Sequence, residues 1–212
     1  MMSPRKELGF TLIEIAIVMV IVTLVLGGIF VGGAAVMENA RTASLLGQIK
    51  DLATASRDFK SRYGYYPGDL PNAVTLITTD GGVSAGCSYA VSATVGNGIV
   101  DTATERTCAL EHLVKARMLS KVELSGGNYL IPHPFGGGDV SLSVMPATRE
   151  NAVRVTNLPC KYALRIDDKL DNASTTPLAS GSVIGIGSMN VAISVCVTGG
   201  ANDPVGLILV RY

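Results

Sequence analysis

Residues 9–37 read GFTLIEIAIVMVIVTLVLGGIFVGGAAVM, and this stretch decides the architecture of the chain. The 23 positions from 15 to 37 carry no charged residue and are rich in Ile, Val, Leu and Gly. A helix of that length reaches about 35 Å at about 1.5 Å per residue, which is enough to cross a bilayer core of about 30 Å. The stretch therefore predicts one membrane-spanning helix near the N-terminus.

Two ordinary targeting segments compete with this interpretation. A cleaved secretory signal would share the basic start that Arg5 and Lys6 supply, but its apolar stretch is shorter and ends at a small-residue cleavage site. A plain signal anchor explains the length and keeps both cations in the cytoplasm. Neither alternative explains why Glu14 lies inside the apolar sequence.

Glu14 is a carboxylate in a segment predicted to enter hydrocarbon, where an unpaired charge costs several kcal/mol. Cleavage before Phe10 would create a cationic amine at the same end of the helix. In a bundle of identical helices, Glu14 of one chain would then meet the Phe10 amine of a neighbour. The simpler alternative is that Glu14 lies near the interface and reaches into water.

The sequence LGFTLIE at residues 8–14, with its short basic leader and apolar helix, closely resembles the processing site of type IV prepilins and pseudopilins. The resemblance implies that a membrane peptidase cuts after Gly9 and N-methylates Phe10, and that Glu14 pairs during assembly. It also implies an assembly ATPase, a membrane platform, other pilins and further copies of this chain as partners.

One feature departs from many pilins, which carry a proline about two-thirds along the membrane helix. No proline occurs between Phe10 and Tyr66, but four glycines occur at positions 27, 28, 32 and 33. Because glycine costs up to about 1 kcal/mol in a helix interior, these residues predict a soft segment. Close packing between small residues in the membrane explains them equally well.

The helix is predicted to continue beyond the membrane, from residue 10 to about residue 62. Leu45, Ile49, Leu52, Ser56, Phe59 and Tyr63 follow one another at spacings of four and three, which places them on one helical stripe. We therefore divide the chain into a leader at 1–9, a membrane or filament-core helix at 10–37, its amphipathic continuation at 38–63 and a globular head at 64–212.

The head begins with the turn sequence YPGDLP at residues 66–71, and residues 63–73 resemble a subgroup of pilin-like proteins with a YPGD loop. We expect loops over residues 75–103, helices over 105–119 and 158–171, and strands at 140–144, 183–186, 191–197 and 206–210. The predicted fold class is α+β, with an antiparallel sheet packed against the long helix.

The head contains four cysteines, Cys87, Cys108, Cys160 and Cys196. An exported head folds where disulfides persist, and four cysteines allow three connectivities that sequence alone does not separate. We favour Cys87 with Cys108 and Cys160 with Cys196, because the first bond would close a polar loop without apolar anchors. Free buried thiols are the alternative.

No cofactor is predicted, although two acidic sets are candidate calcium ligands. One set is Asp167, Asp168 and Asp171, and the looser set is Asn97, Asp101 and Glu105. Neither set matches a full calcium-loop pattern, so a solvated helix-capping surface is the preferred interpretation. His112 and His133 belong to no nucleophile or metal motif, which favours a protein that is not an enzyme.

These features predict a structural subunit, a major or minor pilin. The precursor would lie in the bacterial inner membrane, and its polymer would be a cell-surface filament or a periplasmic pseudopilus of a type II secretion system. The 17 basic and 17 acidic residues balance, so no nucleic acid is predicted as partner. A signal-anchored surface binding protein and a membrane-anchored enzyme are the alternatives from other classes.

Overall fold

The computed structural model of the chain describes residues 10–145, 148–171, 183–186 and 204–211. The predicted leader, residues 1–9, lies outside these ranges. The chain divides into two compact units, with the boundary between Arg41 and Thr42. We call the second unit, from Thr42 onward, the head.

Helix α1, Leu12–Tyr63, confirms the long helix that the apolar stretch and the amphipathic stripe predict. Its last turn is followed by Gly64, which has a φ of 81° and donates its N–H to the Lys60 carbonyl. Because this left-handed conformation suits glycine and the turn sequence begins directly afterwards, the helix ends where the sequence predicts.

The second part of α1 supplies one wall of the head's core. The predicted stripe is buried, with Leu45, Leu52, Ser56 and Phe59 each 0% exposed, while Tyr63 packs against the same cluster. Burying side chains of this size stabilises a fold by about 1.5–3 kcal/mol each. The amphipathic pattern therefore positions the helix against the rest of the head.

The head contains an antiparallel sheet whose described strands lie in the spatial order β1-β2-β3-β4-β6-β5. Its middle pairs place apolar residues opposite each other, with Val140 facing Val155 and Leu142 facing Val153. The strands are β1 Glu123–Ser125, β2 Asn128–Pro132, β3 Asp139–Val144, β4 Asn151–Pro159, β5 Val183–Ile186 and β6 Pro204–Arg211.

The predicted strands at 140–144, 183–186 and 206–210 correspond to β3, β5 and β6, whereas the strand predicted at 191–197 lies outside the described residues. The sequence pattern did not predict β1, β2 and β4. The helix predicted from Leu158 is wrong at its start, because Leu158 is buried in β4 and pairs with Val205 of β6. An apolar residue fits either element locally, and here the strand pairing decides.

Three shorter helices complete the described part of the head: α2 Ala73–Leu76, α3 Ala103–Lys115 and α4 Cys160–Asp171. Helix α3 begins two residues before the predicted start, because Thr102 caps it. The Thr102 side chain accepts the Glu105 N–H, and the Glu105 carboxylate accepts the Thr102 N–H in return. The predicted loop region over 75–103 contains only two short 3-10 turns between α2 and α3, Thr79–Gly81 and Ala85–Cys87.

The α1, α3 and α4 helices and the sheet share one apolar core, which confirms the predicted α+β class. Helix α3 contacts β2 and β3, and α4 contacts β4, β5 and β6. Core residues from each element include Phe59 of α1, Leu113 of α3, Leu142 of β3 and Ile166 of α4.

Gly68, in the turn after α1, packs against helix α3 so closely that we expect no larger residue to fit. It has a φ of 91°, and a Cβ there would collide with the Glu105 carbonyl and lie 3.2 Å from the Ala109 Cβ. We predict that Gly68→Ala lowers the free energy of unfolding of the head by about 1–2 kcal/mol from backbone strain and about 1–3 kcal/mol from overpacking.

Gly64→Ala is the matched control, because Gly64 also has a positive φ, of 81°, but a Cβ there meets no atom within 4 Å. Chemical denaturation of the full chain in detergent should show a larger loss for Gly68→Ala than for Gly64→Ala. Equal losses would mean that the close approach to α3 contributes nothing.

Candidate functional site

The start of helix α1 brings Thr11 and Glu14 together. The Glu14 Oε2 accepts hydrogen bonds from the Thr11 N–H and the Thr11 hydroxyl, both at 2.9 Å, and the Glu14 N–H donates to the Thr11 Oγ1 at 3.3 Å. This reciprocal arrangement is a capping box, which satisfies orphan donors of the first turn. The carboxylate therefore has a partner within its own chain, and that partner is neutral.

The apolar side chains from Ile15 to Leu26 face outward around α1. The most apolar 18-residue window of the helix is 0% buried, and α1 is long and apolar enough to cross a membrane. Phe10 is also exposed, at 83%. The helix is continuous through Gly27, Gly28 and Gly33, and a Cβ at any of these glycines would meet no atom within 4 Å.

Comparison with known protein families identifies this segment. Residues 4–30 match the family described as the prokaryotic N-terminal methylation motif. The chain carries a type IV prepilin-type signature. No curated protein and no solved structure matches the chain. The similarity of residues 63–73 to a YPGD subgroup therefore stays a prediction.

The matched prepilin segment includes the residues that the sequence predicts for processing and assembly, Gly9, Phe10 and Glu14. Gly9 lies outside the described residues, whereas Phe10 lies two residues before α1 and Glu14 lies in its first turn. The sequence analysis missed Thr11, although the T-x-x-E spacing of Thr11 and Glu14 before an apolar run is a sequence signature of a capping box.

In the head, the YPGD turn anchors a distant loop. Asp69 is 0% exposed and accepts three backbone N–H groups, from Gly96 at 2.5 Å, Asn97 at 3.2 Å and Gly98 at 2.7 Å. Burial raises the pKa of the Asp69 carboxyl, although the three hydrogen bonds oppose that shift. The carboxylate thus fixes a loop nearly thirty residues further along the chain.

His112 connects four parts of the head through one buried ring. Its Nδ1 accepts the Gly68 N–H at 3.0 Å, its Nε2 lies 2.8 Å from the Cys87 carbonyl, and its ring stacks on Phe59 at 6.1 Å between centroids. These partners require a neutral ring with its proton on Nε2. Burial lowers the pKa of His112, which agrees with that neutral state.

Cys87 and Cys108 form a disulfide, as the sequence analysis favours. The bond ties the loop after α2 to helix α3, and the Tyr89 hydroxyl lies 2.8 Å from the Cys108 sulfur. Cys160 is also disulfide-bonded. Cys196, the partner predicted for it, lies outside the described residues.

Of the two acidic sets considered as calcium ligands, the looser set of Asn97, Asp101 and Glu105 makes contacts within the head. Asp101 pairs with Arg149 at 2.7 Å, Asn97 accepts the Ile99 N–H, and Glu105 caps α3. In the other set, Asp167 is buried and Asp168 is exposed, while the Asp171 side chain lies outside the described part. Among the described residues, no group of three or more His, Cys, Asp or Glu is placed to hold a metal ion.

The His112 geometry predicts a pH dependence of head stability. The unfolded chain binds a proton on this residue near its ordinary pKa of about 6.5, whereas the folded head resists it, because a protonated ring loses the acceptor for Gly68. Below about pH 6.5 the unfolded state therefore binds more protons, and the free energy of unfolding should fall as the pH falls toward the lowered pKa of the folded head.

Denaturant unfolding of wild type and His112→Gln between pH 7.5 and pH 5 measures this contribution. The stability difference between them should be largest at pH 7.5 and shrink toward pH 5, because the variant lacks the titrating ring. Burial raises the pKa of Asp69 and of Glu105, and both residues are present in both proteins, so the comparison isolates the His112 ring. Parallel pH profiles would contradict the assigned role.

Proposed function

We propose that the chain is a pilin subunit, cleaved between Gly9 and Phe10 and polymerised through α1 into a type IV pilus-like filament. The observation that carries this proposal is the N-terminal segment itself. This one stretch combines a prepilin-type signature, a capping carboxylate and an apolar helix whose most apolar window contains no buried residue.

The exposed apolar surface requires a covering. From Phe10 to Leu26, most of the large apolar side chains are more than half exposed, among them Leu12 at 89% and Leu24 at 72%. Since burial of each such side chain is worth about 1.5–3 kcal/mol, leaving the set in water costs on the order of tens of kcal/mol. Hydrocarbon covers it in the precursor, and neighbouring helices cover it in the filament.

Glu14 makes the transfer of the helix from the membrane into the filament specific. Among the described residues of its own chain, Glu14 accepts the neutral donors of Thr11 and meets no cation. Cleavage after Gly9 creates an amine on Phe10, close to the same first turn. A neighbouring subunit's amine then neutralises the carboxylate and sets the axial register between helices.

We infer that the protein is a structural subunit rather than an enzyme. Both of its histidines direct both ring nitrogens at backbone partners. His112 contacts Gly68 and Cys87, while His133 Nδ1 accepts the Phe135 N–H and its Nε2 lies 2.9 Å from the Thr156 carbonyl. This use of the rings supports a role in folding over a role in acid–base chemistry.

The proposed partners are a prepilin peptidase and methyltransferase, an assembly ATPase, a membrane platform and other pilins. The precursor resides in the inner membrane, and the polymer lies at the cell surface. A type II secretion pseudopilus would use the same N-terminal segment, and filament imaging beside a secretion assay separates the two systems. A signal-anchored binding protein would instead retain residues 1–9.

Substitutions at the start of α1 test the pairing role of Glu14. We predict that Glu14→Gln, which keeps an acceptor for Thr11 but loses the charge, impairs incorporation into filaments as strongly as Glu14→Ala. An unpaired buried amine costs about 3–5 kcal/mol, a factor of hundreds or more in association. Membrane insertion and cleavage should remain.

Thr11→Ala is the matched control, because it removes the capping hydrogen bonds and keeps the carboxylate. The measurement is the amount of each variant in sheared filaments relative to total membrane protein, in cells without a wild-type copy. We expect Thr11→Ala to assemble much better than either Glu14 variant. Normal incorporation of Glu14→Gln would remove the charge-pairing role and leave Glu14 as a capping residue.

A further inference from the structure

A cavity of about 250 Å³ lies in the head between helix α3 and the sheet, and two arginines line it. Arg106 comes from α3 and Arg154 from β4, and both side chains are half-buried. Drug-sized molecules occupy cavities of about 300–1,000 Å³. This cavity is therefore the size of a site for a smaller molecule.

Contacts with the protein fix both arginines without using all of their donors. Arg154 lies opposite Ser141 in the pairing of β4 with β3, and its Nε donates to the Ser141 Oγ at 3.0 Å. The Arg106 Nη1 donates to the Asp101 carbonyl at 2.6 Å. Because a guanidinium carries five N–H donors in a rigid plane, these contacts orient each side chain and leave donors for a ligand.

The two guanidiniums are close enough to repel each other. Burial lowers the pKa of Arg106 and the positive charge of Arg154 lowers it further, whereas Asp101 and Glu105 oppose the shift. Both of these carboxylates have other contacts, since Asp101 pairs with Arg149 at 2.7 Å and Glu105 caps α3. An anion bound between the guanidiniums would relieve their repulsion.

One carboxylate, that of Asp139, also lines the cavity. Its Oδ2 lies 3.9 Å from the Arg154 Nη2, which is longer than a hydrogen bond, and its Oδ1 accepts the Thr156 hydroxyl at 2.6 Å. Asp139 therefore compensates Arg154 only in part. Two guanidiniums and one carboxylate give the lining one net positive charge, which matches a ligand with a single negative charge.

The remaining lining favours a carboxylate ligand that also carries hydroxyl groups. The flat donor pattern of a guanidinium matches the two oxygens of a carboxylate. Thr107 of α3 and Asn128 of β2 add exposed hydrogen-bonding side chains, and the half-buried Tyr129 adds a ring against which a short carbon skeleton can pack.

We propose that this cavity binds a small hydroxylated monocarboxylate, a hydroxy acid or a sugar acid, with its carboxylate between Arg106 and Arg154. The hydroxyl groups then lie toward Thr107 and Asn128. The site belongs to the head alone and does not depend on the proposed filament. It gives the subunit a ligand-binding property in addition to its structural role.

Carbon-13 NMR of the arginine guanidinium carbons tests the site in the full chain, purified in detergent. The probes are sodium lactate as a hydroxy acid and sodium glucuronate as a sugar acid, each titrated at an ionic strength held constant with sodium chloride, because salt screens charge contacts. We expect a saturable shift of the Arg106 and Arg154 signals with at least one acid. Glucose, which resembles glucuronate but has no charge, should leave both signals unchanged.

Single substitutions assign the two signals and measure each contribution. Arg106→Gln and Arg154→Gln should each weaken binding about tenfold or more, because each removes charge-assisted hydrogen bonds. Asp139→Asn should tighten binding, because it removes the carboxylate that competes with the ligand. Arg117→Gln is the matched control and should bind as the wild type does, since Arg117 pairs with Asp80 at 2.6 Å and is not among the described residues that line the cavity.

Thermal unfolding of each variant in detergent shows whether the head still folds. Arg106→Lys, which keeps a donor for the Asp101 carbonyl but loses the planar fork, replaces Arg106→Gln if that variant unfolds. Unsaturable shifts with both acids, or equal binding by Arg154→Gln and wild type, would overturn the site. Sulfate that binds as tightly as the better acid would overturn the assignment to a monocarboxylate. These outcomes leave cleavage after Gly9 and filament formation untouched, because both are measured separately.

Discussion

A helix with apolar side chains around its whole circumference has to be covered, and this constraint governs the rest of the molecule. No residue in the most apolar 18-residue window of α1 is buried, and the head begins after Arg41. Under the proposed function, a membrane covers this part of the helix in the precursor, and copies of the same helix cover it after assembly. In that proposal, polymerisation keeps the apolar helix covered once it leaves the lipid.

The second part of the same helix forms one wall of the core of the head. Loops that are far apart in sequence meet there through a few buried polar groups. The Asp69 carboxylate holds the backbone at Gly96–Gly98, and the His112 ring joins the turn at Gly68 to the disulfide loop at Cys87. Because each of these groups is buried and hydrogen-bonded, the loops are fixed without a large number of apolar contacts.

The sequence predicts those features that a local pattern encodes. The apolar run and the amphipathic stripe predict all of α1. The residues around Phe10 and Glu14 predict the prepilin-type signature. The contacts of Asp69 with Gly96–Gly98 join segments nearly thirty residues apart, and no local spacing encodes them. Strand β4 was missed because its pairing with β3 and β6, rather than its own pattern, selects extended backbone. The T-x-x-E spacing of Thr11 and Glu14 also encodes the capping box, a local role for Glu14 that is distinct from its pairing with a neighbour and from an interfacial position.

Mass spectrometry of the protein recovered from sheared surface filaments tests the central claim most directly. The account predicts an intact mass and an N-terminal peptide that begin at Phe10, with a methylated amine and without residues 1–9. It also predicts that the same cells hold uncleaved precursor in the membrane when the peptidase is removed. A chain that retains its first nine residues in the surface-exposed form would contradict the account, because Glu14 would then have no neighbouring amine to meet.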